Sequence, residues 1–254
     1  MFQFSTFTFS NRAPLRLSIV IPTLNEAAEL PATLSHALAV PEVCEIIISD
    51  GGSTDATESI ARTAGAKWLS DSRGRGAQLR FGAAQAHGEV VVLLHADTWL
   101  PPDAGQAIQA VLFPTSTAPL SAHGVVGGGF RKIFRDGPWL LRSTARWRSA
   151  AFFQMTGQLF GDQAIFIDRE RLREAGGVPD LPLMEEFALC RELRRHGRLA
   201  LAEAIVSTSG RTFARRGVLR TWWLMWCLQR AWHRGVPAAE LARRYSRTNA
   251  TVGE

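Results

Sequence analysis

Three short aliphatic runs constrain this chain most: Leu17-Ser18-Ile19-Val20-Ile21, Glu45-Ile46-Ile47-Ile48-Ser49 and Val90-Val91-Val92-Leu93-Leu94. Each is too short for a buried helix and is apolar at successive positions, as a strand is when both of its faces are covered. A polar cluster closes each run: Pro22-Thr23-Leu24-Asn25-Glu26, then Asp50 to Asp55, then His95-Ala96-Asp97. Helices are expected from Asn25 to about His36, from Ser53 to about Ala64, over 77–86 and over 102–111, with Asn25 or Thr23 as the first N-cap and a short strand at 66–69. Strands alternating with helices give βαβ crossovers and a mainly parallel sheet, an α/β fold flanked by helices. Ligands of open α/β sheets bind beyond the carboxyl ends of the strands, where these polar clusters fall.

Beyond residue 113 the alternation loosens. Strands are expected at 125–134, carrying Gly127, Gly128 and Gly129, at 164–167 and at 200–206; helices are expected at 185–196 and 219–232. The last helix holds Trp222, Trp223, Trp226 and Trp232. Its aromatic face suits packing on the core, or lying on anionic lipid as an interfacial helix. No apolar run reaches the length that spans a bilayer, and the Phe2 to Phe9 stretch lacks the basic start of a secretory signal. The three cysteines, Cys44, Cys190 and Cys227, share no metal or disulfide spacing, which points to a reducing, cytoplasmic setting. A net charge of +6, from 29 basic and 23 acidic residues, suggests an anionic partner. The arginines are spread along the chain without a recognition motif, so nucleic acid is not expected.

Three constellations carry candidate chemistry. Asp50 and Asp97 both follow buried strands, where hard oxygen ligands could hold a divalent cation on a diphosphate; helix capping accounts for either aspartate singly. Arg73-Gly74-Arg75-Gly76 precedes a helix, so its backbone N–H groups and arginines could meet a phosphate, or form a solvated turn. Met184-Glu185-Glu186 opens a helix, where paired acids either complement the dipole or supply a general base.

In this order the segments resemble family 2 glycosyltransferases of the GT-A, nucleotide-diphospho-sugar transferase fold. Ser18 to Glu26 is similar to their opening strand, Ile48 to Asp55 to their second strand and acidic turn, and Gly74-Arg75-Gly76 to their Gly-Lys-Gly-like loop. Leu94 to Asp97 stands where they carry Asp-x-Asp, and Glu185-Glu186 where they carry Glu-Asp. Gly74 to Gln78, His95 to Thr98 and Gly161 to Gln163 resemble a bacterial subgroup linked by name to arsenosugar biosynthesis or radical-SAM/selenium-associated domains. The resemblance implies inverting transfer of a sugar from a nucleoside diphosphate sugar, a UDP-sugar foremost, to a small-molecule or lipid acceptor. Pro22, Thr23, Glu26, Asp50, Gly74, Arg75, Gly76 and His95 would then lie along the nucleotide, and Asp97 with His95 would hold Mn²⁺ or Mg²⁺. Asp162, Gln163 and Met184 would line the acceptor side, and Glu186 or Glu185 would be the base. Two departures stand out: His95 for the first metal aspartate and Glu186 for the base aspartate. They leave open a nucleotide-sugar-binding homologue without catalysis. The implied division is an N-terminal extension (1–16), a nucleotide-binding half (17–112), an acceptor half (113–210) and a C-terminal helical segment (211–254), with possible membrane contact through 219–232 at the inner face of the membrane.

Overall fold

The structure is a computed structural model that describes residues 15–70, 74–114 and 124–250. Arg73, His123 and residues 1–14 of the N-terminal extension lie outside the described residues. In the first half, β1 (Leu17–Thr23), α1 (Leu30–Leu38), β2 (Val43–Asp50), α2 (Thr57–Thr63), β3 (Lys67–Leu69), α3 (Arg75–Ala84), β4 (Val90–Leu93), β5 (Thr98–Trp99) and α4 (Ala104–Leu112) follow one another. The second half continues with β6 (Val125–Phe134), α5 (Trp139–Thr156), a 3-10 turn (Gly161–Gln163), β7 (Ile165–Asp168), α6 (Arg169–Glu174), α7 (Glu185–Leu193) and β8 (Arg198–Thr208). Then come α8 (Arg211–Arg216), α9 (Val218–His233) and α10 (Ala238–Ala250).

One eight-stranded sheet, ordered β3-β2-β1-β4-β7-β6-β8-β5, joins both halves. The pairs β2–β3, β1–β2, β1–β4 and β6–β8 are parallel, whereas β4–β7, β6–β7 and β5–β8 are antiparallel. Six strands therefore point one way, and only β7 and β5 oppose them. The carboxyl ends of β1, β2, β4, β6 and β8 share one edge, together with the turn that enters β7.

Alternation along each strand divides the core in two. Ile19, Ile21, Ile46, Ile48, Val92 and Phe166 pack with Leu30 and Leu34 of α1 and Ile108 of α4. Val20, Ile47, Val91, Ile165 and Ile167 pack with Leu79 of α3 and Leu189, Cys190 and Leu193 of α7. Helices on both faces explain why these strands carry no polar face.

The first helix begins later than the sequence suggests. Its N-cap is Glu29, not Thr23 or Asn25. Asn25 instead adopts φ +55°, and its side-chain oxygen accepts from the Thr54 N–H at 2.8 Å. The Thr23 hydroxyl donates to Asp50 at 2.8 Å. Both residues are thus committed to joining the β1 and β2 ends. Helix α5 lay within a stretch to which the sequence reading gave no element.

The glycines of β6 allow close strand approach. A Cβ on Gly128 would enter the Ala200 carbonyl oxygen and lie 2.7 Å from the Phe166 ring. Rigid backbone and a buried ring cannot yield cheaply, so Gly128→Ala is expected to destabilise the fold by about 3 kcal/mol, read as a lower urea midpoint at unchanged slope.

Candidate active site

A cavity of about 710 Å³ opens at the shared carboxyl edge of the sheet. Pro22 and Glu26 reach it from the end of β1, His95 and Asp97 from the end of β4, and Arg75 from the first turn of α3. Asp162 comes from the turn before β7, Met184 and Glu186 from the start of α7, and Arg211 from just beyond β8. Segments far apart in sequence converge because the sheet aligns their strand ends.

The centre of the cluster is Arg75. Its guanidinium binds Glu185 Oε1 through Nε and Glu186 Oε1 through Nη2, and its Nη1 lies 3.3 Å from His95 Nε2. The Gly161 N–H also donates to Glu186 Oε1, at 3.2 Å. The Arg75 and Gly161 contacts both fall on Oε1. A Cβ on Gly161 would sit 2.8 Å from Glu186 Oε1 and inside contact distance of His95 Nε2, so only glycine lets this turn close on the pair. Met184, at φ +66°, and Ala164, at φ +47°, flank the cluster in the left-handed region. Strained backbone of this kind persists only where its surroundings enforce it.

The electrostatics follow from burial. Burial raises Glu186 above the ordinary carboxylate range; Arg75 pulls it down, and Glu185 pushes it further up. Burial and then the Arg75 cation hold His95 down to about 4, so its imidazole is neutral at physiological pH. Burial lifts Asp97 up to about 6 against the pull of Arg211, with Glu26 and Asp162 adding to the rise. Arg211 forms a bidentate pair with Glu26 at 2.8 and 2.9 Å and lies 3.5 Å from Asp97 Oδ2.

Several residues singled out in the sequence lie off the cavity wall. Asp50 is 2% exposed and accepts from the hydroxyls of Thr23 and Ser53 and from the N–H groups of Gly52 and Ser53. Burial alone would raise its pKa, but these donors outweigh burial and hold it low. Its oxygens are consumed by the turn and cap no helix, since α2 starts at Thr57 with Ala56 as its N-cap. Thr23 is used up in the same contact. Gln163 is fully buried: its amide donates to the Phe130 carbonyl and accepts from the Phe160 N–H, both at 3.0 Å, so it braces the turn instead of facing an acceptor. Gly76 packs on the Leu181 backbone, with Leu181 N 2.7 Å from where its Cβ would stand. Gly74 is the exposed N-cap of α3 at φ +97°. Glu185, 1% exposed, lies behind Arg75.

Three cavity cations, Lys132, Arg148 and Arg211, went unnoticed in the sequence. Lys132 reaches the cavity and grips Asp162 at 2.5 Å, 5.0 Å from the Phe160 ring centroid. Its signal was a lysine on the Phe130–Phe134 face of an apolar strand. Arg211 follows Ser207-Thr208-Ser209-Gly210, a polar cluster at a strand's carboxyl end like those that drew attention to Asp50 and Asp97.

The donors suit a divalent cation only in part. Asp97 offers a hard oxygen in an acidic surrounding, but His95 Nε2 faces Arg75. Among the described residues no group of three or more His, Cys, Asp or Glu side chains is placed to hold a metal. Such a site would need the ligand's own phosphates to complete it, as Mg²⁺ sites commonly do.

The model of the family described as "Glycosyl transferase family 2" matches residues 18–167, more than half of the chain. The chain belongs to glycosyl transferase family 2. Among curated family relatives it is similar to the dolichyl-phosphate beta-glucosyltransferase of Homo sapiens, 31% identical over 100 residues, 32% of this chain and 31% of that protein. It is also similar to the undecaprenyl-phosphate 4-deoxy-4-formamido-L-arabinose transferase of Aeromonas hydrophila, 34% identical over 106 residues, 37% and 32% of the two chains. The matched stretch thus spans about a third of these relatives' lengths. Among solved structures, the mannosyltransferase PcManGT of Pyrobaculum calidifontis, in complex with GDP-Man and Mn²⁺, superposes with a TM-score of 0.60 at 19% identity, covering 86% of this chain and 61% of that one. The family 2 chain therefore has the GT-A fold, with helices on both faces of a mostly parallel sheet. No helix among the described residues is long and apolar enough to cross a membrane.

Proposed function

We propose that the protein transfers a sugar, with inversion, from a nucleoside diphosphate sugar to an acceptor hydroxyl or phosphate held in the second half of the cavity. The observation that carries this reading is the convergence of Glu186, Arg75, His95 and Asp97 on one cavity wall in a family 2 glycosyltransferase. On this reading residues 17–112 form the donor half, 113–210 the acceptor half, and 211–254 a C-terminal segment that reaches the acceptor side through Trp222, Met225 and Tyr245. The donor arm is Pro22, Glu26, Arg75 and Asp97. The acceptor arm is Asp162 with Lys132, Met184 and the apolar wall of Phe152, Phe160, Phe187 and Trp222. That wall suits an amphiphilic acceptor, in keeping with the lipid phosphates in the names of the two curated relatives.

In the reaction, the acceptor oxygen forms a bond to the anomeric carbon as the bond from that carbon to the diphosphate breaks. Glu186 Oε2 takes the proton of a hydroxyl acceptor, and its raised pKa matches that task; a phosphate acceptor, already ionised, attacks through its own anionic oxygen. Arg75 fixes Glu186 through Oε1 and presents positive charge toward the leaving diphosphate. Asp97 would hold a divalent cation, Mn²⁺ or Mg²⁺, which when bound neutralises charge on the diphosphate. His95, neutral, either joins that site or orients Arg75. Lys132 and Asp162 set the far side of the acceptor.

Calorimetric titration with UDP and GDP, each with Mn²⁺ and with EDTA, tests the donor half. One diphosphate is expected to bind at least about tenfold tighter with Mn²⁺, and Asp97→Ala is expected to abolish that difference. Absence of binding by either nucleotide overturns the transferase reading. Equal binding by the Asp97→Ala variant overturns only the role of Asp97.

A further inference from the structure

The exposed aromatic residues are not scattered. On α5 they are Trp139 and Trp147, at 78% and 74% exposure, with Met155 and Leu140 beside them. On α9 they are Trp223 and Trp226, with Leu219 one turn before, at i, i+4 and i+7 of a single face. The two helices meet locally: Leu141 and Ala145 share a cluster with Val218 and Trp222, and the Arg148 guanidinium stacks 3.6 Å from the Trp222 ring centroid. Trp147 lies on the side of α5 opposite buried Ser149 and Ala145, so the aromatic face points away from the domain.

Charge is segregated on the same surface. No Asp or Glu occurs between Asp136 and Asp162, or between Glu203 and Glu240. Those two stretches carry nine arginines. Arg142, Arg146, Arg220 and Arg230 are exposed and form no ion pair among the described residues. Elsewhere, several surface arginines are matched within their helices, as Arg62 is with Glu58, Arg173 with Glu170 and Arg195 with Glu192.

We infer that α5 and α9 together form a platform that docks on an anionic lipid bilayer surface. Exposed tryptophans favour the boundary between headgroups and acyl chains, and unpaired arginines beside them favour anionic headgroups. The cavity reaches this platform at Trp226, which lines it and is 48% exposed. Docking would therefore set the cavity mouth against the membrane. The inference stands on the two helices and holds whichever sugar or acceptor the site uses.

The test is flotation of the full chain with phosphatidylglycerol or phosphatidylcholine vesicles. Flotation is expected with the anionic vesicles only, with loss at high salt. The double substitution Trp147→Ser with Trp223→Ser replaces no residue that lines the cavity, though Trp223 stacks on Trp226 at 4.9 Å, and is expected to cut anionic-vesicle binding at least about tenfold. Arg142→Glu with Arg230→Glu is expected to do the same with every tryptophan present. Unchanged nucleotide titration and urea midpoint in these variants show that the domain is intact. No flotation of the wild type, or equal flotation of both variants, overturns the inference. So does a sedimentation result in which the wild type is a dimer that the tryptophan variant dissolves, because a second copy would then cover the face.

Discussion

Glu186→Gln is expected to lower kcat by about 10²- to 10⁴-fold, the range for loss of a general base, with donor affinity unchanged. The glutamine is isosteric and keeps an oxygen for the Gly161 N–H and for Arg75, so the geometry of the turn survives. What disappears is a carboxylate oxygen that can take a proton. Release of nucleoside diphosphate from a UDP- or GDP-sugar, with water as acceptor, gives a readout that needs no identified acceptor. A fall in kcat without a change in donor KM marks an interaction made in the transition state. Glu185→Gln is the matched control: Glu185 is buried behind Arg75 and does not line the cavity. Loss of turnover in Glu185→Gln with retention in Glu186→Gln would reverse the assignment.

The first half of the sheet was legible because every layer of its sequence agreed. Ile19, Ile47 and Val92 lie in β-branched runs, and the rule that ligands gather at strand ends then placed Asp97, His95 and Arg75 at one edge. The second half was less legible for physical reasons. Helix α5 has Trp and Arg on its exposed face, so its sequence lacks the polar outer face by which an amphipathic helix is read. That same irregularity is the membrane-facing pattern. Asp50 and Gln163 carry residue types suited to ligand binding, but their partners are backbone groups, and for Asp50 also the Thr23 and Ser53 hydroxyls, that only the folded turn brings together. Lys132 and Arg211 were hidden for the opposite reason: a single charge in or after a strand means little until the sheet order brings β6 beside β7 and β8 beside β6. Whether Glu185 or Glu186 faces the cavity also depends on the left-handed backbone at Met184, which no local propensity foretells.

Arg75→Met is expected to be the most damaging single change, removing turnover and lowering stability together. Among the described residues Arg75 is the one cation in contact with both Glu185 and Glu186, and the first of these is 1% exposed. Burial disfavours the charged arginine, yet the two carboxylates outweigh burial and hold its pKa above the ordinary value. Without it, two carboxylates face each other in a dry pocket, and at least one must take up a proton or break out. Loss of one partner of a buried pair costs about 3–5 kcal/mol. The Arg75 side chain is 37% exposed and partly screened, so the expected loss is about 2 kcal/mol. Arg75→Lys is expected to fall between, because one ammonium cannot reproduce a fork that spans both carboxylates and His95. The double variant Arg75→Met with Glu185→Gln should regain much of the urea midpoint, since the orphaned charge is gone, but none of the turnover. That separation distinguishes a charge that holds the fold from one that also positions the base. A wild-type midpoint in Arg75→Met would mean that the carboxylates find another partner, and Arg75 would then lose its central place in the site.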